Sequence, residues 1–282
     1  MQYYKFLLLI FLFGTGIFAF QRCGGINPNE DASQVISQIQ VSEYFSPTSH
    51  VTELTFQVEF EDGAKPYVGQ STSRGLSKVR SFSWWQIFSK NMEELFKIRI
   101  QKGFQLNMPS DQSIQAKTFF ADSSKRDQPR AAIEILDLGR QLKNPDTSTG
   151  RTIIILFLNG FYQGDPNILG VSFGGTSIVA IFKQVVKDGM FAEEEQVEQA
   201  VLVHEAGHAL GLVNNGLPMQ SSHEDTVHDP AKRAHCSVDQ CVMFWSVNAV
   251  SKIPDKIKKN FMPTAEVLFG QECLNDVHNY TP

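Results

Sequence analysis

Residues 203–215 read VHEAGHALGLVNN, and within them HEAGH sets His204 and His208 four residues apart with Glu205 between. On a helix that spacing projects both imidazoles from one face, about one turn apart, where they can share a zinc ion at roughly 2.0–2.1 Å. Glu205 is rotated by about 100° from His204, so it reaches a water at the metal and not the metal itself. Zinc lowers the pKa of such a water towards roughly 7, and a nearby carboxylate can take its proton. Val201, Leu202, Val203 and Leu210 make this helix a buried one. Two histidines inside it would be costly without a metal or hydrogen-bond partners.

A catalytic zinc takes three protein ligands and leaves one position open. Asn214 stands six residues after His208, and asparagine is a poor zinc ligand. Five of the seven histidines nevertheless fall between 204 and 235, so His223, His228 and His235 are on offer further along the loop. His223-Glu224-Asp225 also reads as a supporting cluster, because Asp225 or Asp229 can accept the second N–H of a metal-bound imidazole. His228 alone reads as an exposed loop histidine.

The elements that must hold these residues follow from hydrophobic periodicity. Val51–Phe60 alternates as a half-buried strand and stops at the turn signal Glu61-Asp62-Gly63. Ser83–Ile100 carries Trp84, Ile87, Phe88, Met92, Leu95 and Phe96 at helical spacing. A short strand is expected at Ala116–Phe120, and a second helix over Ala131–Leu142 that closes before Asn144-Pro145. Thr152–Leu158 is a continuous apolar run, as a sheet interior requires; Leu169–Phe173 and Ser177–Phe182 follow as two strands or one hairpin. Glu193–Leu212 is the helix of the histidines, with Glu193, Glu194 and Glu195 in its first turn and Gly211 at its end. Strands alternating with helices predict an α/β layered fold with a mixed sheet. No internal repeat is visible.

The motif then resembles a known group. HExxH with a glycine three residues later and a methionine downstream resembles the metzincin zinc proteases. His235-Cys236, four residues, then Cys241-Val242-Met243 is similar to the archaemetzincin pattern, in which the histidine beside the first cysteine is the third zinc ligand. The combination LVNNGLPM…HED…HC…CVMFW is similar to secreted or membrane-anchored bacterial zinc metalloproteases. The likeness covers roughly residues 50–280, and it is motif-grade only over 203–246. It implies a zincin/metzincin-like mixed twisted sheet with an active-site helix and a small C-terminal subdomain. It also implies Zn2+ on His204, His208 and His235, with His223 as the alternative third ligand, and Met243 in a Met-turn beneath the metal. An edge strand, Leu169–Phe173 or Ser177–Phe182, would bind an extended peptide by main-chain pairing.

Two departures stand out. Asn214 breaks the compact metzincin signature. Archaemetzincins hold a second zinc with four cysteines, including a downstream CxxC pair, whereas this chain has only Cys273 there. Cys236–Cys241 is therefore read as a disulfide bracing the Met-turn, with a second metal site using Cys236, Cys241 and Cys273 as the alternative. There is no cysteine between 24 and 235, so latency through a prodomain cysteine is not expected.

Length and charge frame the rest. The 282 residues carry a net charge of -5, which gives no reason to expect nucleic acid as a partner. The cluster of Lys256, Lys258 and Lys259 reads as a solvated helix face. Residues 1–23 place one lysine before the apolar run Phe6–Phe20, which has the length of a secretory segment and is short for a membrane span. Cys23 is a candidate for lipidation, with cleavage near Ala19 as the alternative. Either route predicts an extracytoplasmic protein, secreted or lipid-anchored to the envelope. Residues 24–49 read as a flexible arm, and 50–282 as the catalytic domain with its zinc site at 204–243. The expected activity is a zinc metalloendopeptidase acting on polypeptide with Glu205 as general base. The alternative is a catalytically silent, zinc-stabilised surface binding protein whose site is closed by a fourth ligand such as His223. A non-peptide hydrolase using the same chemistry is a third reading. Oligomeric state is not legible.

Overall fold

The computed structural model of the chain describes residues 43–74, 79–188, 194–228, 234–244 and 267–282. The segment expected to direct export, with Cys23, most of the arm expected at 24–49, Asp229 and the lysine cluster at 256–259 lie outside the described residues. Among the described residues, no helix is long and apolar enough to cross a membrane.

The chain is mixed α/β, built on a five-stranded, mostly parallel sheet flanked by helices. Its strands are β1 (Glu53–Phe60), β4 (Gln105–Asn107), β6 (Gly150–Leu158), β8 (Gly170–Phe173) and β9 (Ile178–Phe182), in the order β4-β1-β6-β9-β8. Only the edge strand β8 runs antiparallel to its neighbour. Small strand pairs join β2 (Gln70–Arg74) to β3 (Val79–Ser83) and β5 (Pro129–Arg130) to β7 (Phe161–Tyr162).

The burial of each strand explains its place. In β1, Leu54, Phe56, Val58 and Phe60 are buried and the alternate residues are not, so this strand covers one side only. In β6, Ile153, Ile155 and Phe157 enter the larger core, while Ile154, Leu156 and Leu158 enter a smaller core on the opposite face. An apolar run without alternation is what a strand covered on both faces needs.

Helix α1 (Trp84–Leu95) packs its Trp85, Phe88, Met92 and Leu95 stripe into the larger core. The helical periodicity of Ser83–Ile100 is interrupted at Phe96, which leaves helical geometry before α2 (Lys97–Ile100). The strand expected at Ala116–Phe120 is absent; α3 (Asp111–Gln115) lies just before it, capped by Ser110, and Phe120 makes only an isolated bridge to Glu61. Helix α4 (Ala132–Leu142) covers the smaller core, where Gly139 lets the helix approach Ile178. Three further helices follow: α5 (Lys183–Asp188), α6 (Glu194–Ala209) and α7 (Gln271–His278).

Candidate metal centre

Helix α6 carries the HEAGH motif, and every residue from Val197 to Ala209 is buried. Its start is anchored by an ion pair sealed from water: Lys183 Nζ bonds Glu198, whose other oxygen accepts the Tyr67 N–H at 2.7 Å. The Tyr67 hydroxyl donates to Glu194, and the Lys183 ammonium lies 3.1 Å from the centre of the Tyr67 ring. The helix ends where Gly211 takes φ +83, a left-handed conformation that glycine adopts without strain. Val213 and Asn214 then also take positive φ, turning the chain sharply and leaving Asn214 exposed. The position that would hold a compact third ligand therefore does not join the cluster.

His235 joins it instead. The ligand nitrogens of His204, His208 and His235 lie within 4.8 Å of one another, and all three residues are buried. His204 Nδ1 donates to the Val242 carbonyl at 2.7 Å, which leaves the Nε2 lone pair facing the cluster. His204 Nε2 and His208 Nε2 are 3.1 Å apart. A tetrahedral ion with nitrogen bonds of roughly 2.0–2.1 Å would set that edge at about 3.3 Å. Burial, with repulsion from His204 and His235, holds the His208 imidazole well below its ordinary pKa, so it presents a neutral ligand nitrogen. The donor set and its spacing fit a zinc ion.

Glu205 lies on the β8 side of the helix. It is buried, and the Ser172 N–H donates to its carboxylate, opposing the burial that pushes its pKa up to about 8. A cation at the imidazoles would draw that value back down. Gly170 permits this closeness: a Cβ there would stand 2.9 Å from Glu205 Cγ. On the other side, a Cβ at Gly207 would overlap Met243 Sδ, so Met243 is packed directly against the motif helix.

A short ladder holds the third histidine. Asp225 N–H donates to the His235 carbonyl at 2.7 Å, Ser237 N–H to His223 at 2.7 Å, and Cys236 N–H to Met243 at 2.8 Å. The structure sorts the remaining histidines clearly. His223 belongs to a separate buried group with Cys236 and Cys273. His228 is largely exposed and bonds Asp225 through Nδ1 at 3.1 Å.

The expected Cys236–Cys241 bridge is not formed: Cys236, Cys241 and Cys273 are all free thiols. Cys236 Sγ lies 3.4 Å from His223 Nδ1, and Cys241 Sγ lies 3.6 Å from Cys273 Sγ, because α7 brings Cys273 into the loop. Burial acts to raise the Cys241 thiol, but hydrogen bonds from Cys236, Cys273 and the Gly270 N–H outweigh it and hold the thiol well below its usual range. Burial acts to lower His223, and hydrogen bonds to Asp276 and Cys236 outweigh it, pushing the imidazole up to about 10.

Sequence reasoning did not find Asp276, which bonds His223 Nε2 at 2.6 Å and also accepts the Gln220 N–H at 2.7 Å. Its only local signal is its position three residues after Cys273, on the same face of α7. The Ser172 N–H was equally invisible, since a main-chain donor has no residue signature. Compared with known proteins, the chain matches no family model, no curated protein and no solved structure.

Proposed function

We propose that the chain is a zinc-dependent metallopeptidase of metzincin type with an archaemetzincin-like motif, similar to secreted or membrane-anchored bacterial zinc metalloproteases and acting on polypeptide outside the cytoplasm. One observation carries this reading: three buried imidazoles converge beside a buried glutamate, on a helix that lies against an edge strand. His204, His208 and His235 would hold the zinc. Bound there, zinc would polarise a peptide carbonyl and acidify a water. Glu205 would take the proton of the attacking water and return it to the leaving amine.

Of the two strands considered for peptide pairing, β8 is the better placed. Ile178–Phe182 form β9, which is internal and paired on both sides, while β8 has one partner strand among the described residues. The Ser172 N–H on its other side is occupied by Glu205, so an incoming peptide strand must compete with that carboxylate or displace it. Met243 beneath Gly207 supports the Met-turn role, since it gives the ligand helix a fixed apolar floor. The alternative of a silent binding protein closed by His223 is less favoured, because His223 lies in the other group.

The test is Glu205→Gln. The variant is expected to keep its zinc and lose at least about a hundredfold in peptide cleavage, the usual worth of a positioned base. Full activity in the variant would sink the mechanism.

A further inference from the structure

The buried cations of the chain differ in their partners. Among the described residues, three lysine or arginine side chains are buried: Arg99, Arg130 and Lys183. Arg130 is paired with Glu61 at 2.8 Å, and Lys183 with Glu198. Arg99 is the exception. It is 7% exposed, and burial lowers its pKa with no neighbouring carboxylate acting to raise it. A charge taken out of water is costly unless one of opposite sign meets it.

The guanidinium is fixed in place but not neutralised. Its two Nη groups donate to the Ser46 and Val51 carbonyls, and its carbon lies 4.7 Å from the centre of the Phe104 ring. Phe104 stacks on Phe96 and Phe96 on Phe45, so the cation ends an aromatic column. A guanidinium carries five N–H donors in a rigid fork. Neutral carbonyls take two of them, and Nε has no hydrogen-bond partner.

A cavity of about 340 Å³ lies beside this arginine, between the segment before β1, helices α1 and α2, and the chain from the end of α7 onward. Phe45, Leu95, Ile98 and Val277 give it apolar walls. Among the described residues no aspartate or glutamate lines it, whereas Lys102 adds an exposed ammonium. The His278 Nε2–H donates to the Glu94 carbonyl at 2.8 Å, which ties the end of α7 to α1 and holds two of the walls together. The cavity shares no residue with the imidazole cluster or the thiol group, so its ligand is independent of the metallopeptidase reading.

We propose that this cavity binds a small organic carboxylate, a monoanion whose carboxylate accepts from Arg99 and whose apolar body lies against Phe45, Leu95, Ile98 and Val277. One buried cation matches one negative charge, and the guanidinium fork suits a planar carboxylate. The volume is that of a small-molecule site, which is mostly apolar with a few placed polar groups. An inorganic dianion would leave one charge unmatched and the apolar walls unused.

Calorimetric titration of the full chain tests this with phenylacetate, its neutral isostere phenylacetamide, and inorganic phosphate. Phenylacetate is expected to saturate one site per chain and to bind about tenfold or more tighter than either of the others. Arg99→Gln should abolish that binding. Because Arg99 also holds the Ser46 and Val51 carbonyls, Ile98→Glu carries the test if that variant does not fold. Ile98 is half-buried at the cavity wall, and a glutamate there places a carboxylate beside Arg99 in the ligand's stead, so binding should again be lost. No saturable binding to wild type overturns the proposal, as does phenylacetamide or phosphate binding as tightly as phenylacetate. Phenylacetate binding that survives in folded Ile98→Glu also overturns it, since the carboxylate would then sit elsewhere, such as at a metal on the imidazoles.

Discussion

Gly207→Ala probes the seat of the motif helix α6 through a change of one methyl group. In an exposed helix interior this substitution gains about 0.8–1.0 kcal/mol, because alanine is the better helix former. Here the new Cβ would overlap Met243 Sδ and come within 3.2 Å of both Met243 Cε and Phe269 Cε1. Met243 is 0% exposed, so its sulfur cannot swing into solvent. Overpacking of this kind costs about 1–3 kcal/mol, which leaves a net loss of up to about 2 kcal/mol. For a chain of this size each kcal/mol moves Tm by about 2–4 °C. Thermal unfolding should therefore show Gly207→Ala less stable than wild type. In a Met243→Ala background the same substitution should become favourable, since the methyl then enters the space the thioether left. The coupling should exceed about 0.5 kcal/mol, the level at which distant sites stop behaving additively. A gain of about 1 kcal/mol in both backgrounds would refute the packing of Met243 against the helix.

Two further outcomes follow from buried and half-buried charge. Lys183→Met strips the buried Glu198 of its counter-ion, so it should cost about 3–5 kcal/mol in denaturant unfolding. Adding Glu198→Leu should recover most of that loss; no recovery would mean that the pair does more than neutralise itself. The hydrogen bonds of Arg151 hold the Glu43 carboxyl below its ordinary 4.5. A depressed carboxylate contributes stability that is fully present above its unfolded pKa and lost as pH falls through the folded value. Glu43→Gln should thus cost about 0.5–1 kcal/mol at neutral pH and progressively less below pH 4.5, a trend readable from Tm across an acid titration. An effect that is unchanged in acid would place the loss elsewhere.

Legibility in the sequence tracked how much of the physics is local. β1 and β6 were visible because one-sided and two-sided burial write different patterns, alternating in one and continuous in the other. β4 was not, since its three residues Gln105–Asn107 carry no period and owe their place to pairing with β1. The break at Phe96 was hidden because Phe96 is buried and its apolar side chain continues the helical stripe of α1. Helix α7 escaped because its apolar side is short and contains Cys273, which reads from sequence as a redox or metal residue.

The site divided along the same line. HEAGH was readable because one helical turn sets its geometry. The residues alone offered His235 beside His223 and His228, and resemblance chose among them, for the loop between it and α6 has no regular period. The grouping of His223 with Cys273 and Asp276 depends on α7 returning to the loop, and Asp276 lies 53 positions from His223. No spacing rule spans that distance.

The central claim is that His235, and neither His228 nor Asn214, completes the proposed metal site. Zinc binding should be counted and titrated for wild type, His235→Ala and His228→Ala, each checked for an intact fold. The account expects His235→Ala to lose one tightly held ion that His228→Ala keeps. Unchanged zinc content and affinity in folded His235→Ala would contradict it.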